Sequence, residues 1–290
     1  MKIDFCSDLH VDQWMGETIL HDPDRRMWTG EPYKSQFLHI DWRYYKNPES
    51  RVLIIAGDTA NSLFTSKEVV GAAAEEYEHV IVVDGNHEHY GEDMTVRNGM
   101  EFFKEELKAF PNVHYLDGTD TFVLDGVAFF GATGWYDFEA YANQGITSFT
   151  AQRAWASYSN DSRYPDFDGS SPLRMAMEQS VQLAENVRDV QNDDEVASIV
   201  MTTHMSPRAD IMQWKAGDVF WNTLTPSYVN TSLKNCLEAD VNKKIRYWVY
   251  GHTHTRKMTE IDGVIYANNA RGYPRENPPF TLTQIEVPSK

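Results

Sequence analysis

The sequence predicts an α/β protein, and three observations carry that reading. Five apolar runs of strand length each end, within a few residues, in a metal-ligand residue type. Stripes of apolar residues at helical spacing lie between several of these runs. Two Asp-Gly pairs, each flanked by strand-like segments, mark antiparallel hairpin turns. Parallel βα units beside antiparallel hairpins imply a mixed sheet, or two sheets packed face to face with helices outside.

Residues 2–6 form the first run and are followed by Asp8 and His10. Residues 11–50 are polar and aromatic, with Trp14, Trp28, Trp42, Tyr44 and Tyr45. That stretch is too long for an ordinary loop and reads either as a lid or specificity insertion or as a surface excursion with a small aromatic cluster of its own. The run 52–56 leads into Gly57-Asp58. Thr65-Ser66-Lys67-Glu68 has the spacing of a capping box, with Val69, Ala73 and Tyr77 following at helical spacing. This helix returns to the run 79–83, which stops at a glycine and delivers Asn86, His87 and Glu88 in succession. A strand buried on both faces, with its loop at the carboxyl end, is where open α/β sheets place ligands.

Val96, Met100, Phe103 and Leu107 make a second helical stripe, ended by Pro111. Segments 121–124 and 127–131 flank Asp125-Gly126 as a hairpin, and 256–261 and 264–267 flank Asp262-Gly263. Residues 136–170 read as loop-like, a second candidate lid. Ser171 as N-cap and Pro172 at the first position open a helix with Leu173, Met177, Val181 and Ala184 on its apolar stripe. The run 199–203 leads into His204, and the run 245–250 into Gly251-His252-Thr253-His254. Residues 192–195 form a solvated turn, 272–279 are irregular, and 281–287 are the last strand. No composition break divides the chain, so residues 1–290 are expected to form a single domain.

The formal net charge of −17 at pH 7 argues against nonspecific binding to nucleic-acid backbone, which needs many Lys and Arg contacts. It does not exclude a nucleotide substrate, because bound divalent metals add local positive charge. Cys6 and Cys236 make no disulfide framework. The first residues are strand rather than a basic leader, and no apolar stretch reaches membrane-spanning length. The expected setting is cytoplasmic, without membrane partners.

The candidate metal ligands are Asp8, His10, Asp58, Asn86, His204, His252 and His254. Imidazoles mixed with carboxylates suit Mn²⁺, Fe²⁺ or Zn²⁺ better than Mg²⁺ or Ca²⁺. Seven ligands exceed what one ion takes while keeping a reactive position open, so two ions are the economical count, about 3.5–4 Å apart across a shared carboxylate. His252 and His254 would point the same way if locally extended, each reaching a different ion.

The blocks SDLH (7–10), GDTAN (57–61), GNHEHY (85–90), TTHMSP (202–207) and GHTH (251–254) resemble, in order, the motifs of the calcineurin-like metallophosphoesterase superfamily. The flanks GATGWYDF (131–138), SNDSR (159–163) and NARGYPRENPPF (269–280) are similar to its small bacterial and phage-type members. Asp84 departs from the proline that many relatives carry there, a change in loop stiffness and not in a ligand. The resemblance implies a four-layer α/β/β/α sandwich and a binuclear hydrolase of phosphate esters. It implies Asp8, His10 and His254 on one metal, Asn86, His204 and His252 on the other, and Asp58 bridging. A hydroxide bridging both ions would attack phosphorus in line. His87 would protonate the leaving group or stabilise charge in the transition state. Glu88 would stand behind the ligands, orienting an imidazole. Arg163 and Arg271, in two of the flanking stretches, are candidate substrate-phosphate contacts.

His21, His39, His79, His89 and His114 match no motif position and read as ordinary surface or core residues. The substrate reading favours a small phosphodiester or nucleotide-like ester. A phosphoprotein phosphatase or a nuclease of the same fold is the alternative within the enzymes, and a noncatalytic interaction scaffold the alternative outside them. The complete ligand set, with His87 retained, disfavours the scaffold.

Overall fold

A computed structural model describes residues 1–14, 40–91, 93–276 and 279–290. Most of the 11–50 insertion, with Trp28, His21 and His39, lies outside the described residues, so the lid reading there is not addressed.

Two sheets form the centre. The first has the order β11-β1-β2-β3-β4, built from β1 (Lys2–Cys6), β2 (Val52–Ala56), β3 (His79–Val83), β4 (Val113–Tyr115) and β11 (Thr283–Glu286). Strands β1 to β4 run parallel and β11 joins antiparallel on β1. The second has the order β5-β6-β7-β8-β10-β9, built from β5 (Phe122–Leu124), β6 (Val127–Ala132), β7 (Ser198–Thr203), β8 (Ile245–Tyr250), β9 (Arg256–Ile261) and β10 (Val264–Asn269). Its central strands are parallel, while β5 and β9 pair antiparallel as outer hairpin arms. Both hairpins turn where the sequence places them. Asp125 and Gly126 have φ of 48° and 78°, and Asp262 and Gly263 have φ of 54° and 83°, the double left-handed pair that suits the twist of the arms.

Side-chain alternation sorts these strands into layers. On β2, Ile54 and Ala56 face inward with Val83, Phe129, Val200 and Val249 in a core between the sheets. Leu53 and Ile55 face outward against Leu63, Val70, Phe103 and Leu107 of two helices, α2 (Leu63–Ala74) and α3 (Val96–Leu107); α1 is the short turn Trp42–Tyr45. On the far side, Phe130, Met201 and Trp248 of the second sheet pack on Leu183, Val187 and Cys236. These come from α5 (Pro172–Asp189) and α7 (Lys234–Ala239), while α4 (Ser148–Tyr158) and α6 (Val219–Leu224) pack on each other. The order of layers is helix, sheet, sheet, helix.

Three local expectations need correction. Thr65 to Glu68 do not cap a helix: α2 begins earlier, after Ser62, and the Ser66 hydroxyl is drawn instead to Glu88. Residues 136–170 are not all loop, since Thr147 accepts from Thr150 N and starts α4. The stripe on α5 is displaced. Ser171 caps it as expected, but Met177 and Val181 are 56% and 54% exposed, while Ala176, Gln179, Ser180, Leu183 and Val187 are buried. The buried face carries polar groups with fixed partners, because Gln179 Oε1 accepts from Gly134 N and Ser180 donates to Ser232 O. Those bonds add to the packing of Met175, Ala176, Leu183, Ala184 and Val187 on the same face.

Phe129 is fully buried in the layer between the sheets, so Phe129→Ala should lower unfolding free energy by about 3–5 kcal/mol in urea titration. Phe149→Ala, at a ring 70% exposed, should stay within about 0.5 kcal/mol of the parent.

Candidate active site

Strands β1, β2 and β3 of one sheet and β7 and β8 of the other end at a common rim. The loops beyond them are tied by backbone bonds: Asp8 N to Gly57 O at 2.9 Å, His10 N to Asp58 O at 3.0 Å, and Gly251 N to His204 O at 2.9 Å. Side chains separated by more than 240 positions thereby become neighbours, as His10 Nε2 and His254 Nε2 at 3.0 Å show. Two groups of donor atoms form. Asp8, His10, Asp58 and His254 make one, and Asp58, His204 and His252 the other, with the donor atoms of each group within 4.8 Å of one another. Asp58 is common to both. Asn86 Oδ1 joins the second group, 3.0 Å from His204 Nε2 and 3.0 Å from His252 Nδ1. All seven predicted ligand positions are brought together.

The backbone that achieves this is unusual. Asp8, His10, Asp58, His252 and His254 have φ of 50°, 41°, 54°, 64° and 46°, in the left-handed region that L-residues avoid. His252 and His254 are therefore not locally extended, as the spacing alone suggested; each reaches a different group through its own left-handed turn. Gly85 serves the same convergence by having no side chain, for a Cβ there would lie 2.1 Å from Asp58 Oδ1.

The donor set fits divalent metal. Bonds of about 2.1 Å set neighbouring ligand atoms about 3.0–3.5 Å apart in tetrahedral or octahedral shells. The separations here match: His204 Nε2 to Asp58 Oδ1 is 3.3 Å, His254 Nε2 to Asp8 Oδ1 is 3.5 Å, and His252 Nδ1 to His204 Nε2 is 3.3 Å. In two of the rings the facing nitrogen is selected by a bond on the other side. His204 Nδ1 donates to Ala56 O at 2.9 Å, and His254 Nδ1 meets Glu276 Oε2 at 2.6 Å, leaving each Nε2 inward.

Electrostatics point the same way. Burial, with neighbouring imidazoles adding to it, holds His10 and His252 well below the ordinary histidine range, the direction that suits a metal-binding imidazole. Burial alone would raise Asp58, yet the imidazoles of His204, His87 and His10 hold it well below the usual carboxylate range. Burial opposes charge on His204, but Asp58 and Asp8 outweigh it and push this imidazole up to about 10. Asp8 is pushed up, chiefly by burial.

Residues around the two groups were partly missed. His87 stands outside both, with its backbone N–H on Asp58 Oδ1 at 2.9 Å and its Nδ1 on Asn61 Oδ1 at 2.6 Å. Asn61 closes the GDTAN block and had no assigned role. Glu88 does not orient an imidazole. Its carboxylate accepts from Asp58 N, Thr59 N, Gly85 N and Ser66 Oγ at 2.7–3.1 Å, clamping the two glycine loops together. Burial and the charge of Asp58 push it up to about 7.

Asp84 does more than change loop stiffness. It is buried and accepts from His89 Nε2, Tyr115 OH and Thr133 Oγ1 at 2.7–2.9 Å, linking both sheets behind the site. Asp161, also buried, accepts from Asn86 Nδ2 at 2.7 Å and from the hydroxyls of Tyr90 and Tyr136, which turns the Asn86 oxygen toward the histidines.

Arg163 is exposed and donates to Ser157 O, near the end of α4. Arg271 lies with its guanidinium over the Trp14 ring, 4.2 Å from the centroid. The flanking stretches that suggested them also contribute Asp161, Tyr273 and Glu276. Asp161 and Glu276 hydrogen-bond to Asn86 and His254, and the Tyr273 ring packs on His10 and His254; single-residue type gave little sign of them.

A buried carboxylate shared by two imidazole-rich groups, at the strand ends of an α/β/β/α frame, places the protein among the metal-dependent hydrolases of phosphate esters. Residues 1–256 match the sequence model of the calcineurin-like phosphoesterase family, and the chain belongs to that family. It is 24% identical over 253 residues to "Uncharacterized protein L509" of Acanthamoeba polyphaga mimivirus, covering 82% of this chain and 85% of that protein. Among solved structures, a phosphopantetheinyl hydrolase (PptH) from Mycobacterium tuberculosis superposes with a TM-score of 0.71 at 16% identity, covering 98% of this chain and 95% of the other. At that identity the likeness concerns the fold. No helix among the described residues is long and apolar enough to cross a membrane.

At pH 7–8 the Asp58–His204 pair keeps a proton on His204, which its carboxylate neighbours push up to about 10. A divalent ion entering that group must displace the proton. Calorimetry in buffers of different ionisation enthalpy should record about one proton released per chain for that ion, with apparent affinity tightening about tenfold per pH unit below 10. Release of none would show His204 to be neutral.

Proposed function

We propose that this phosphoesterase is a binuclear enzyme acting on a small phosphodiester or nucleotide-like ester. The observation that carries the reading is the pair of donor groups meeting at Asp58. Asp8, His10 and His254 would hold one ion, Asn86, His204 and His252 the other, with Asp58 between them. Mn²⁺, Fe²⁺ or Zn²⁺ suits this mixture of imidazole and oxygen donors. When bound, such ions supply Lewis acidity toward the phosphoryl oxygens and an activated water for in-line attack on phosphorus.

The chain's own groups do the rest. His87, its Nδ1 occupied by Asn61, presents Nε2 beside the cluster, 3.9 Å from Asp58 Oδ2, as the proton donor to the leaving group. Asp161 and Glu276 keep Asn86 and His254 aimed inward. A flat substrate group is favoured by an aromatic series leading outward from His87: Tyr90 at 4.2 Å between centroids, then Tyr164 at 5.1 Å, the latter 54% exposed. Residues 136–170, which supply Asp161 and Tyr164, act in this reading as the specificity wall within a single domain. The net charge of −17 disfavours a long polyanionic substrate. The buried free thiols of Cys6 and Cys236 accord with a reducing, cytoplasmic setting.

Elemental analysis of Mn²⁺-reconstituted protein should find about two divalent ions per chain, and chelation should abolish hydrolysis of bis-p-nitrophenyl phosphate. One ion per chain would overturn the binuclear reading. His87→Ala should keep its metal and lose about 10²–10⁴-fold in kcat. Emptying of the site by that substitution would instead make His87 structural. Ranking bis-p-nitrophenyl phosphate against p-nitrophenyl phosphate and a cyclic-nucleotide panel tests the ester class.

A further inference from the structure

The stretch 269–280 enters the site through Tyr273. Its ring packs on His10 at 4.6 Å and on His254 at 4.7 Å between centroids, and its hydroxyl is 3.4 Å from His87 Nε2. The loop that carries it is fixed from several directions. Arg271 N donates to Ser7 O at 3.0 Å and Gly272 N to Asp8 O at 2.9 Å. Trp14 Nε1 donates to Gly272 O at 2.9 Å. Glu276 then accepts from Tyr273 N at 2.9 Å with the same oxygen that meets His254 Nδ1.

We propose that Tyr273 is a second substrate contact, its hydroxyl donating a hydrogen bond to the departing oxygen beside His87. This rests on the reading of His87 as the proton donor. With Nδ1 engaged by Asn61, Nε2 is the nitrogen that meets substrate, and the phenol is its neighbour. Two donors 3.4 Å apart can both lie about 2.8 Å from one acceptor oxygen, so a single oxygen can be held by both. In the step, water oxygen forms the new bond to phosphorus and gives its proton to solvent. The bond from phosphorus to the leaving oxygen breaks with its electron pair on that oxygen. The His87 proton transfers to it, and Tyr273 keeps its own proton while holding the oxygen in line. The ring's packing on two ligand imidazoles makes the position rigid, which a preorganised donor requires.

The test is Tyr273→Phe, which keeps the ring and removes the hydroxyl. Metal content by elemental analysis and Tm should equal those of the parent. Activity should be compared on esters differing in their leaving group: p-nitrophenyl phosphate against glycerol 2-phosphate, and bis-p-nitrophenyl phosphate against glycerophosphocholine. Loss of kcat should be about 30–100-fold on the alkyl esters and only about 2–5-fold on the nitrophenyl esters, whose weakly basic oxygen needs little help in leaving. Equal loss on both kinds, no loss on either, or loss of metal would each overturn the contact. A parent enzyme that cleaves monoesters alone would refute the diester reading, and the monoester pair would still decide the role of Tyr273.

Discussion

The carboxylate of Asp58 is the constraint on which the rest of the site depends. It is almost fully buried, its oxygens lie 3.3 Å from His204, 3.7 Å from His10 and 3.9 Å from His87, and it also accepts the backbone N–H of His87. A buried anion is costly unless compensated, and here the compensation is a ring of imidazoles drawn from both sheets. The two sheets must therefore end at one rim. The glycines at the loop corners, the clamp made by Glu88 and the tie made by Asp84 between the sheets follow from that demand. In the protein without metal a proton on His204 balances part of the charge, at the place where a divalent cation fits.

Much of this was legible in the sequence because the signals are local. An apolar run followed at once by an acid or an imidazole states both a strand and what its end carries, and all five such runs became strands with their ligand types at the rim. The Asp-Gly turns were legible for the same reason, since the dipeptide itself selects the left-handed pair. What escaped is what depends on partners distant in the chain. Glu88 was expected against an imidazole, but the backbone N–H groups of a neighbouring loop claim it. The helix 172–189 has two candidate faces, and the buried one holds Gln179, which accepts from Gly134 N, and Ser180, which donates to Ser232 O, partners invisible in a periodicity. Asp161 looks like any loop aspartate until Asn86, Tyr90 and Tyr136 are brought to it.

The arginines show the same limit in another form. Arg163 donates to a carbonyl near the end of a helix and Arg271 lies on an indole, partners that the residue type does not announce. The groups from those stretches that face the donor atoms are an acid, a phenol and a second acid. Their common property is that each fixes the direction of a ring or an amide.

The left-handed conformation of five of the seven ligand residues has a consequence beyond the site. Each such residue costs about 1–2 kcal/mol that glycine would not, so the metal-free chain is locally frustrated where it is most useful. Laboratory evolution screened only for heat tolerance should accumulate glycine at these positions first. Variants recovered that way would be sturdier and inert, and a screen that couples survival to turnover is the one that would keep the rim intact.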